Sequence, residues 1–252
     1  MAKKRLDLLL VERGICESPQ KAASLILAGE VFGPNNLRLE KPGTLYPEDL
    51  VLEVRSRSLP FKSRAGHKLQ FALDEFRISV SGRTCLDIGA STGGFTHCLL
   101  KNGAKHVIAV DVGYGQLDVE LRNHPQVTNL EKTNARYLTS ESLGKEGTSI
   151  DLVVIDVSFI SLRKIIEPIH RNFPKIRYWI LLFKPQFELA PEQLQKGGKV
   201  KNLEAVQQAL RGFNQWMVDL KLTKCGGPES SPIAGKKSGN VEYLIFYENR
   251  ID

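Results

Sequence analysis

Residues 86–96 read LDIGASTGGFT, and this stretch decides the fold. A short apolar run ends in Asp87, a glycine-rich turn follows, and an apolar-periodic segment begins at Phe95. A strand, a glycine turn and a helix in this order bring the backbone close to a nucleotide-like ligand. The glycines of the turn lack Cβ, so the chain can turn sharply and approach the ligand there. From this stretch alone, a ligand-binding turn and an ordinary strand-to-helix turn both remain open.

Around this turn, strand-like runs alternate with helical segments. The predicted strands are residues 85–88, 106–110, 127–130, 152–155, 178–183 and 241–247. The predicted helices are residues 95–102, 116–122, 161–170 and 202–220. This alternation predicts an α/β fold in which helices cover both faces of a mostly parallel sheet. Ligands of such sheets bind beyond the carboxyl ends of the strands.

The first 59 residues are predicted to form a separate small unit. Two short amphipathic helices end at Gly14 and Gly29, where glycine is a typical helix stop. Strand-like pieces follow at residues 31–32, 37–39 and 50–54, with turns rich in Gly, Pro and Asn between them. We expect a linker at residues 60–64 and a second domain at residues 65–252.

The composition indicates a soluble globular protein with an excess of positive charge. The net charge of +7 favours an anionic partner such as nucleic acid. The four cysteines form no C-x-x-C pair and the histidines no ligand spacing, so we expect no metal site. This cysteine usage fits a reducing cytosol, and we expect a cytoplasmic protein. No apolar run approaches the ~20 residues of a membrane span, so no membrane partner is expected.

An acidic residue in register with the turn narrows the choice of ligand. Asp111 ends the second strand, where a carboxylate can accept hydrogen bonds from both ribose hydroxyls of a nucleoside. Dinucleotide dehydrogenases and S-adenosylmethionine (SAM) methyltransferases both fit this arrangement. The turn lacks the second glycine of G-x-G-x-x-G, and it resembles the SAM-binding turn of Rossmann-like methyltransferases. SAM is therefore the expected cofactor, although Asp111 can also be read as a turn acid.

Four charged residues stand where a parallel sheet would gather them at its ligand edge. Lys68 begins the helix before the first strand, and Glu242 opens the last strand. Asp156 and Lys184 each follow a buried strand. Each alone can be an ordinary solvated charge. Together they resemble the Lys-Asp-Lys-Glu tetrad of FtsJ-like ribose 2′-O-methyltransferases.

The chemistry of ribose methylation explains why such a tetrad is needed. A ribose hydroxyl is a poor acid, and it must lose its proton as it attacks the methyl group. A lysine whose ammonium is destabilised by a second lysine can act as the base when neutral. We assign this role to Lys184. Asp156 and Glu242 are expected to position the lysines, and Lys68 to tune the charge.

Nearly the whole chain resembles the TlyA-type, or haemolysin-A-like, rRNA methyltransferases. The matching motifs are SRAGHKL at 63–69, LDIGASTGGFT at 86–96, AVDVGYGQL at 109–117, TNAR at 133–136, IDVSFISL at 155–162, FKPQFE at 183–188 and SPIAGKKSGNVEYL at 231–244. The resemblance implies a Rossmann-like class I methyltransferase domain with a seven-stranded sheet, preceded by a small α+β S4-like RNA-binding domain. It also implies methyl transfer from SAM to a ribose 2′-hydroxyl, typically of cytidine, in ribosomal RNA of subunits or ribosomes.

The resemblance assigns two sets of binding residues. Tyr114 is expected near the ribose of SAM and Asn134 near the adenine. The full set of expected SAM contacts is Asp87, Gly89, Ala90, Ser91, Thr92, Gly93, Gly94, Phe95, Asp111, Tyr114 and Asn134. The expected RNA contacts are Lys3, Lys4, Arg5, Arg13, Lys21, Lys62 and Arg64. A merely solvated helix surface is the alternative for the basic residues.

Two other functions fit parts of the same sequence. A non-catalytic RNA- or ribosome-binding protein is one alternative, but retention of all four tetrad positions argues against it. A haemolysin-like membrane activity is another, and no amphipathic membrane helix supports it. We expect ribosomal RNA or ribosomal subunits as the partner and a monomer or weak dimer. Phe95, Phe159 and Phe187 are assigned to the core by default, with base stacking as the alternative.

Overall fold

The chain forms two compact units, Met1–Leu59 and Pro60–Asp252. In this computed structural model, the residues described are 3–16, 18–54, 61–200, 202–233 and 239–250. No helix in these ranges is both long enough and apolar enough to cross a bilayer.

The N-terminal unit packs two helices against short antiparallel strand pairs. Its elements are β1 (Lys3–Arg5), α1 (Leu6–Glu12), α2 (Pro19–Ala28), β2 (Val31–Phe32), β3 (Leu45–Pro47) and β4 (Glu53–Val54). Strand β1 pairs with β3, and β2 pairs with β4. The core contains Leu6, Leu10 and Ile26, which recur at helical spacing in the sequence. The β1–β3 pair was not predicted, because Lys3–Arg5 carries no apolar residue.

The second unit is built on one seven-stranded sheet. Its elements are α3 (Ala65–Glu75), β5 (Thr84–Ile88), α4 (Gly94–Lys101), β6 (His106–Val110), α5 (Val119–Arg122), β7 (Val127–Leu130), β8 (Ile150–Ile155), α6 (Arg163–Asn172), β9 (Tyr178–Phe183), α7 (Pro185–Glu188), α8 (Leu203–Asp219), β10 (Leu222–Ser230) and β11 (Tyr243–Asn249). The strand order is β10-β11-β9-β8-β5-β6-β7. The five strands from β9 to β7 are parallel. Strand β11 runs antiparallel to β9, and β10 pairs antiparallel with β11, so β11 is the one reversed strand of this sheet. The predicted α/β class and mostly parallel sheet are confirmed.

Helices cover both faces of this sheet, as the alternating pattern predicts. Helices α3 and α4 bury Leu69 and Leu99 on one face, which also holds Cys85. Helices α6 and α8 bury Ile166 and Phe213 on the other. Burial raises the pKa of the Cys85 thiol to about 12, as expected of a small core residue.

One strand of the sheet was missed by the sequence pattern. Strand β10 reads LTKCGGPES and lies at the sheet edge. Only Leu222 at its start is buried, and the register shifts twice against β11. This edge strand is held by backbone pairing and interrupted by irregularities. Its sequence therefore lacks the alternation of apolar and polar residues that predicts a strand.

The topology gathers the sequence-predicted site at one edge. Strands β6, β5, β8 and β9 are successive parallel neighbours, so their carboxyl ends lie side by side. The residues that follow these strands are Asp111, Gly89, Asp156 and Lys184. A ligand site at this edge therefore draws on four separate loops.

Candidate active site

The glycine turn between β5 and α4 uses left-handed backbone that only glycine adopts without strain. Gly89 has φ +86° and Gly93 has φ +90°. A Cβ on Gly89 would collide with the backbone carbonyl oxygen of Asp156, and one on Gly94 with the Ser63 hydroxyl. The turn therefore needs glycine both for its conformation and for the close approach of the neighbouring loops.

Asp87 lies beneath this turn and is completely buried. Its Oδ2 accepts a hydrogen bond of 2.6 Å from the Thr96 hydroxyl, which ties β5 to the first turn of α4. Its Oδ1 has no hydrogen-bond partner among the described residues. Burial raises the pKa of this carboxyl to about 7, and the Thr96 bond opposes the rise. An unpaired buried oxygen under the turn favours a cationic group above it.

A cavity of about 300 Å³ opens between the turn and the predicted tetrad. It brings together all four tetrad residues and most of the glycine turn. Its lining residues are Ser63, Ala65, Lys68, Gly89, Ala90, Ser91, Thr92, Phe95, Asp156, Ser158, Lys184 and Glu242. Residues separated by more than 170 positions in the chain thus share one cavity.

The tetrad consists of two buried ion pairs. Nζ of Lys184 lies 2.5 Å from Oδ1 of Asp156, and Nζ of Lys68 lies 2.5 Å from Oε2 of Glu242. The side chains of Lys184 and Glu242 are 8% and 5% exposed. Burying a charge without a partner is costly, and each pair supplies that partner. Four different elements must therefore be in place before the charges balance.

Sequence reasoning missed a serine in this cluster. The ammonium of Lys184 donates to Oγ of Ser158 at 3.0 Å, in addition to its contact with Asp156. Ser158 stands two residues after Asp156, so the sequence IDVS holds both partners of the lysine. A serine after a strand is too common to be identified without the geometry.

The remaining predicted cofactor residues lie beside the cavity rather than in its lining. The carboxylate of Asp111 accepts backbone N–H bonds from Ser91 at 2.8 Å and from Gly113 at 2.7 Å. The side chain of Asn134 accepts from the N–H of Arg136, so it caps a short 3₁₀ turn. Tyr114 is 72% exposed. The cofactor contacts of Asp111, Tyr114 and Asn134 stay predictions.

Several of the predicted RNA-binding side chains are engaged within their own unit. In the N-terminal unit, Lys4 lies 2.6 Å from Glu12 and Arg5 lies 2.7 Å from Asp7, while Arg13 donates to two backbone carbonyls. The Lys4–Glu12 pair is solvent-accessible and therefore weak, so it does not prevent exchange of Lys4 to a phosphate, whereas the Asp7 partner of Arg5 is buried. Lys3 is exposed, and the side chain of Lys21 lies outside the described residues.

The two RNA-binding candidates of the second unit differ from each other. Lys62 forms ion pairs with Asp118 at 3.2 Å and with Glu120, whereas Arg64 is exposed. The Lys62 N–H also donates to Nδ1 of His97 in α4 at 3.0 Å. Residues 61–63 are thereby held against α4, at the edge of the cavity that Ser63 lines.

The default assignment of Phe159 to the core is wrong. Its backbone has φ +65°, and the residue is 80% exposed. Its ring centroid lies 5.3 Å from that of Phe187. Phe95, by contrast, is buried at 3% exposure. The loop that carries Ser158 therefore presents one exposed aromatic ring, Phe159, packed against the half-buried Phe187.

Comparison with known proteins identifies the family of this chain. The FtsJ-like methyltransferase family matches residues 61–249. The chain is 43% identical to the 16S/23S rRNA (cytidine-2′-O)-methyltransferase TlyA of Mycobacterium tuberculosis, over 100% of this chain and 92% of the relative. It is 40% identical to Hemolysin A of Brachyspira hyodysenteriae, over 96% and 99%. A solved structure of a candidate hemolysin from Streptococcus thermophilus has a TM-score of 0.74 at 36% identity and covers 99% of this chain and 89% of its own. The resemblance inferred from the motifs is confirmed, and the chain belongs to the FtsJ-like methyltransferase family.

Proposed function

We propose that this protein transfers a methyl group from SAM to a ribose 2′-hydroxyl of ribosomal RNA. One observation carries the proposal: two buried Lys–carboxylate pairs line the same cavity as the glycine turn. A cavity lined by these charged groups fits a nucleophile that must be deprotonated beside a bound methyl donor.

Cytidine is the proposed target nucleotide, and ribosomal subunits or ribosomes are the proposed substrate. The names of two relatives support this choice. TlyA of Mycobacterium tuberculosis is named for cytidine methylation of 16S and 23S rRNA, and TlyA of Campylobacter jejuni for 23S rRNA. Since the substrate is ribosomal RNA, we place the protein in the cytoplasm.

The residues around the glycine turn fit SAM. Backbone from Gly89 to Thr92 borders the cavity, and the unpaired oxygen of Asp87 lies beneath it. When bound, SAM supplies an electrophilic methyl group on a positively charged sulfur. Asp111 is proposed to exchange its backbone partners for the ribose hydroxyls. Tyr114 and Asn134 are proposed to contact the nucleoside.

The tetrad is proposed to prepare the RNA hydroxyl for attack. Lys184, which is paired with Asp156 as an ammonium in the structure, first gives up one proton to solvent. Its neutral Nζ then accepts the proton of the ribose hydroxyl, while Asp156 and Ser158 hold that nitrogen in place. The pair of Lys68 and Glu242 lines the same cavity, balances its charge and excludes water. Most of the rate then comes from holding hydroxyl and methyl group in line.

The RNA is proposed to be held by the N-terminal unit and by residues at the edge of the cavity. Two helices followed by short strands are consistent with an S4-like RNA-binding domain. Lys3 and Arg64 are exposed cations, and the exposed ring of Phe159 offers a face on which a base can stack. Contacts to phosphates would make binding weaken as salt rises.

Transfer of labelled methyl from SAM to ribosomal subunits tests the proposal. The subunits are taken from cells that lack this protein, and ribose methylation is then mapped by nucleotide. We expect one or a few modified cytidines that appear only when the protein is added. Binding of subunits without any incorporation would favour a non-catalytic RNA-binding protein instead.

A further inference from the structure

Glu188 is a half-buried residue near the candidate active site, and the proposed chemistry does not use its carboxyl. It is the last residue of α7, four residues after Lys184. Its Oε2 accepts a hydrogen bond of 2.7 Å from the Ser161 hydroxyl, and its Oε1 accepts one of 2.6 Å from the Leu162 N–H. Burial raises the pKa of this carboxyl, and the two bonds oppose the rise.

These two bonds join the loops that follow two neighbouring strands. Strand β8 leads into residues 156–162, and β9 leads into Lys184 and α7; the strands pair in parallel register. The first loop is held at Asp156 and Ser158 by Lys184, and at its far end by Glu188. The two lysine contacts and the two Glu188 contacts therefore bracket the loop from both sides.

The bracketed segment has a conformation that it would not keep unaided. Phe159 sits in the middle at φ +65°, in left-handed backbone that a bulky L-residue rarely adopts. Such conformations persist where the surroundings determine them. Lys184 holds the part of the loop before Phe159. Glu188 holds the part after it, which no tetrad residue contacts.

We infer that Glu188 is a positioning residue whose carboxylate holds the 156–162 loop so that Asp156 and Ser158 meet Lys184. We call the two hydrogen bonds that Glu188 accepts from Ser161 and Leu162 the clamp. Its expected effect on methyl transfer rests on the proposed function, whereas the clamp itself is a property of the fold. It differs from an ordinary helix cap. The carboxylate reaches the start of α6 from the segment that carries Lys184, so it fixes one catalytic loop to the other.

Replacements at Glu188 distinguish the effect of its two hydrogen bonds from the effect of its negative charge. Glu188→Ala removes both bonds. Glu188→Gln keeps one oxygen that can accept from the Leu162 N–H and an amide that can donate to the Ser161 hydroxyl. Ser161→Ala removes one bond and leaves the other, and it serves if Glu188→Ala fails to fold. Glu192→Ala removes an exposed carboxylate from the next turn and is the matched control.

Two measurements on the full-length protein test the inference. In single-turnover methyl transfer to ribosomal subunits, we expect a loss of about tenfold or more for Glu188→Ala. We expect a loss of about fivefold for Ser161→Ala, and rates within about twofold of the parent for Glu188→Gln and Glu192→Ala. The affinity for SAM should change less than twofold. In hydrogen–deuterium exchange, peptides spanning 156–163 should exchange faster in Glu188→Ala and regain protection in Glu188→Gln.

The outcomes distinguish this inference from the proposed function. A parent protein that transfers no methyl group, while Glu188→Ala still exposes residues 156–163 to exchange, would contradict the function and leave the clamp standing. Parent-like transfer and parent-like exchange in folded Glu188→Ala would overturn the clamp. So would an activity loss that Glu188→Gln does not rescue, since the charge rather than the geometry would then matter.

Discussion

The ammonium of Lys184 lies 2.5 Å from the carboxylate of Asp156, at the ends of two strands that are neighbours in the sheet. Both side chains are mostly withdrawn from solvent. Strands β8 and β9 pair in parallel register, which brings their carboxyl ends together and places this charged pair in the lining of the cavity beside the glycine turn. The tetrad therefore depends on the order of the strands in the sheet as well as on the types of its residues.

The first prediction concerns the proposed base. Lys184→Ala should lower single-turnover methyl transfer at least about 100-fold, because a positioned base contributes at this level. The affinity for SAM should stay within about twofold, measured by calorimetry. Lys175→Ala removes an exposed lysine before the amino end of the same strand and should transfer at the parent rate. Parent-like turnover of Lys184→Ala would sink the assignment.

The second prediction separates charge balance from catalysis. Asp156→Ala leaves the Lys184 ammonium buried and unpaired, and should lower the free energy of unfolding by about 3 kcal/mol. The double variant Asp156→Leu with Lys184→Met replaces both charges with apolar side chains. It should regain most of the lost free energy of unfolding, but it should remain inactive. Denaturant unfolding and methyl transfer measure the two effects. A double variant as unstable as Asp156→Ala would argue against a buried ion pair.

The third prediction concerns the glycine that lies under the catalytic loop. Gly89→Ala places a Cβ against the backbone oxygen of Asp156, which cannot move without shifting the catalytic pair. Both SAM affinity and methyl transfer should fall, each by about tenfold or more. The control is Gly82→Ala, which has φ +72° but open space around the added atom. If the two variants lose affinity equally, backbone strain rather than the collision is the cause.

The fourth prediction is a pH dependence at His97. Its Nδ1 accepts the Lys62 N–H, so it must be unprotonated. Burial lowers the pKa of this imidazole, as do Lys101 and Lys62, while Asp118 and Glu120 oppose the shift. A lowered pKa means that the stabilising contribution is present above the unfolded value near 6.5 and is lost as pH falls through the folded value.

Substitution at His97 isolates that contribution. His97→Asn keeps an acceptor near the position of Nδ1 but does not titrate. Between pH 7.5 and 5.5, the parent should lose more unfolding free energy and more SAM affinity than the variant. Burial also lowers the pKa of His170, but this residue is present in both proteins and cancels from the comparison. Identical pH profiles would show that the Lys62–His97 bond does not hold residues 61–63.

Much of the site could be predicted because strand ends are visible in sequence. The runs LVVI and WILLF predict buried strands, and whatever follows them must reach the ligand edge, so Asp156 and Lys184 were identified correctly as neighbours. The partners of Lys4 depend on how β1 pairs with β3, which no local pattern encodes. The exposure of Phe159 depends on one positive φ. Ser158 and Glu188 act through distances that only the folded loops define.

The unpaired oxygen of Asp87 has a thermochemical consequence. With a pKa of about 7, this carboxyl is partly protonated in neutral solution. A cation that binds above the turn favours the ionised form and expels the proton into the medium. The heat of SAM binding at pH 7 should therefore vary between phosphate and Tris, whose own ionisation enthalpies differ, and the slope should report a fraction of one proton released. In Asp87→Asn the difference in heat between the two buffers should be smaller than in the parent.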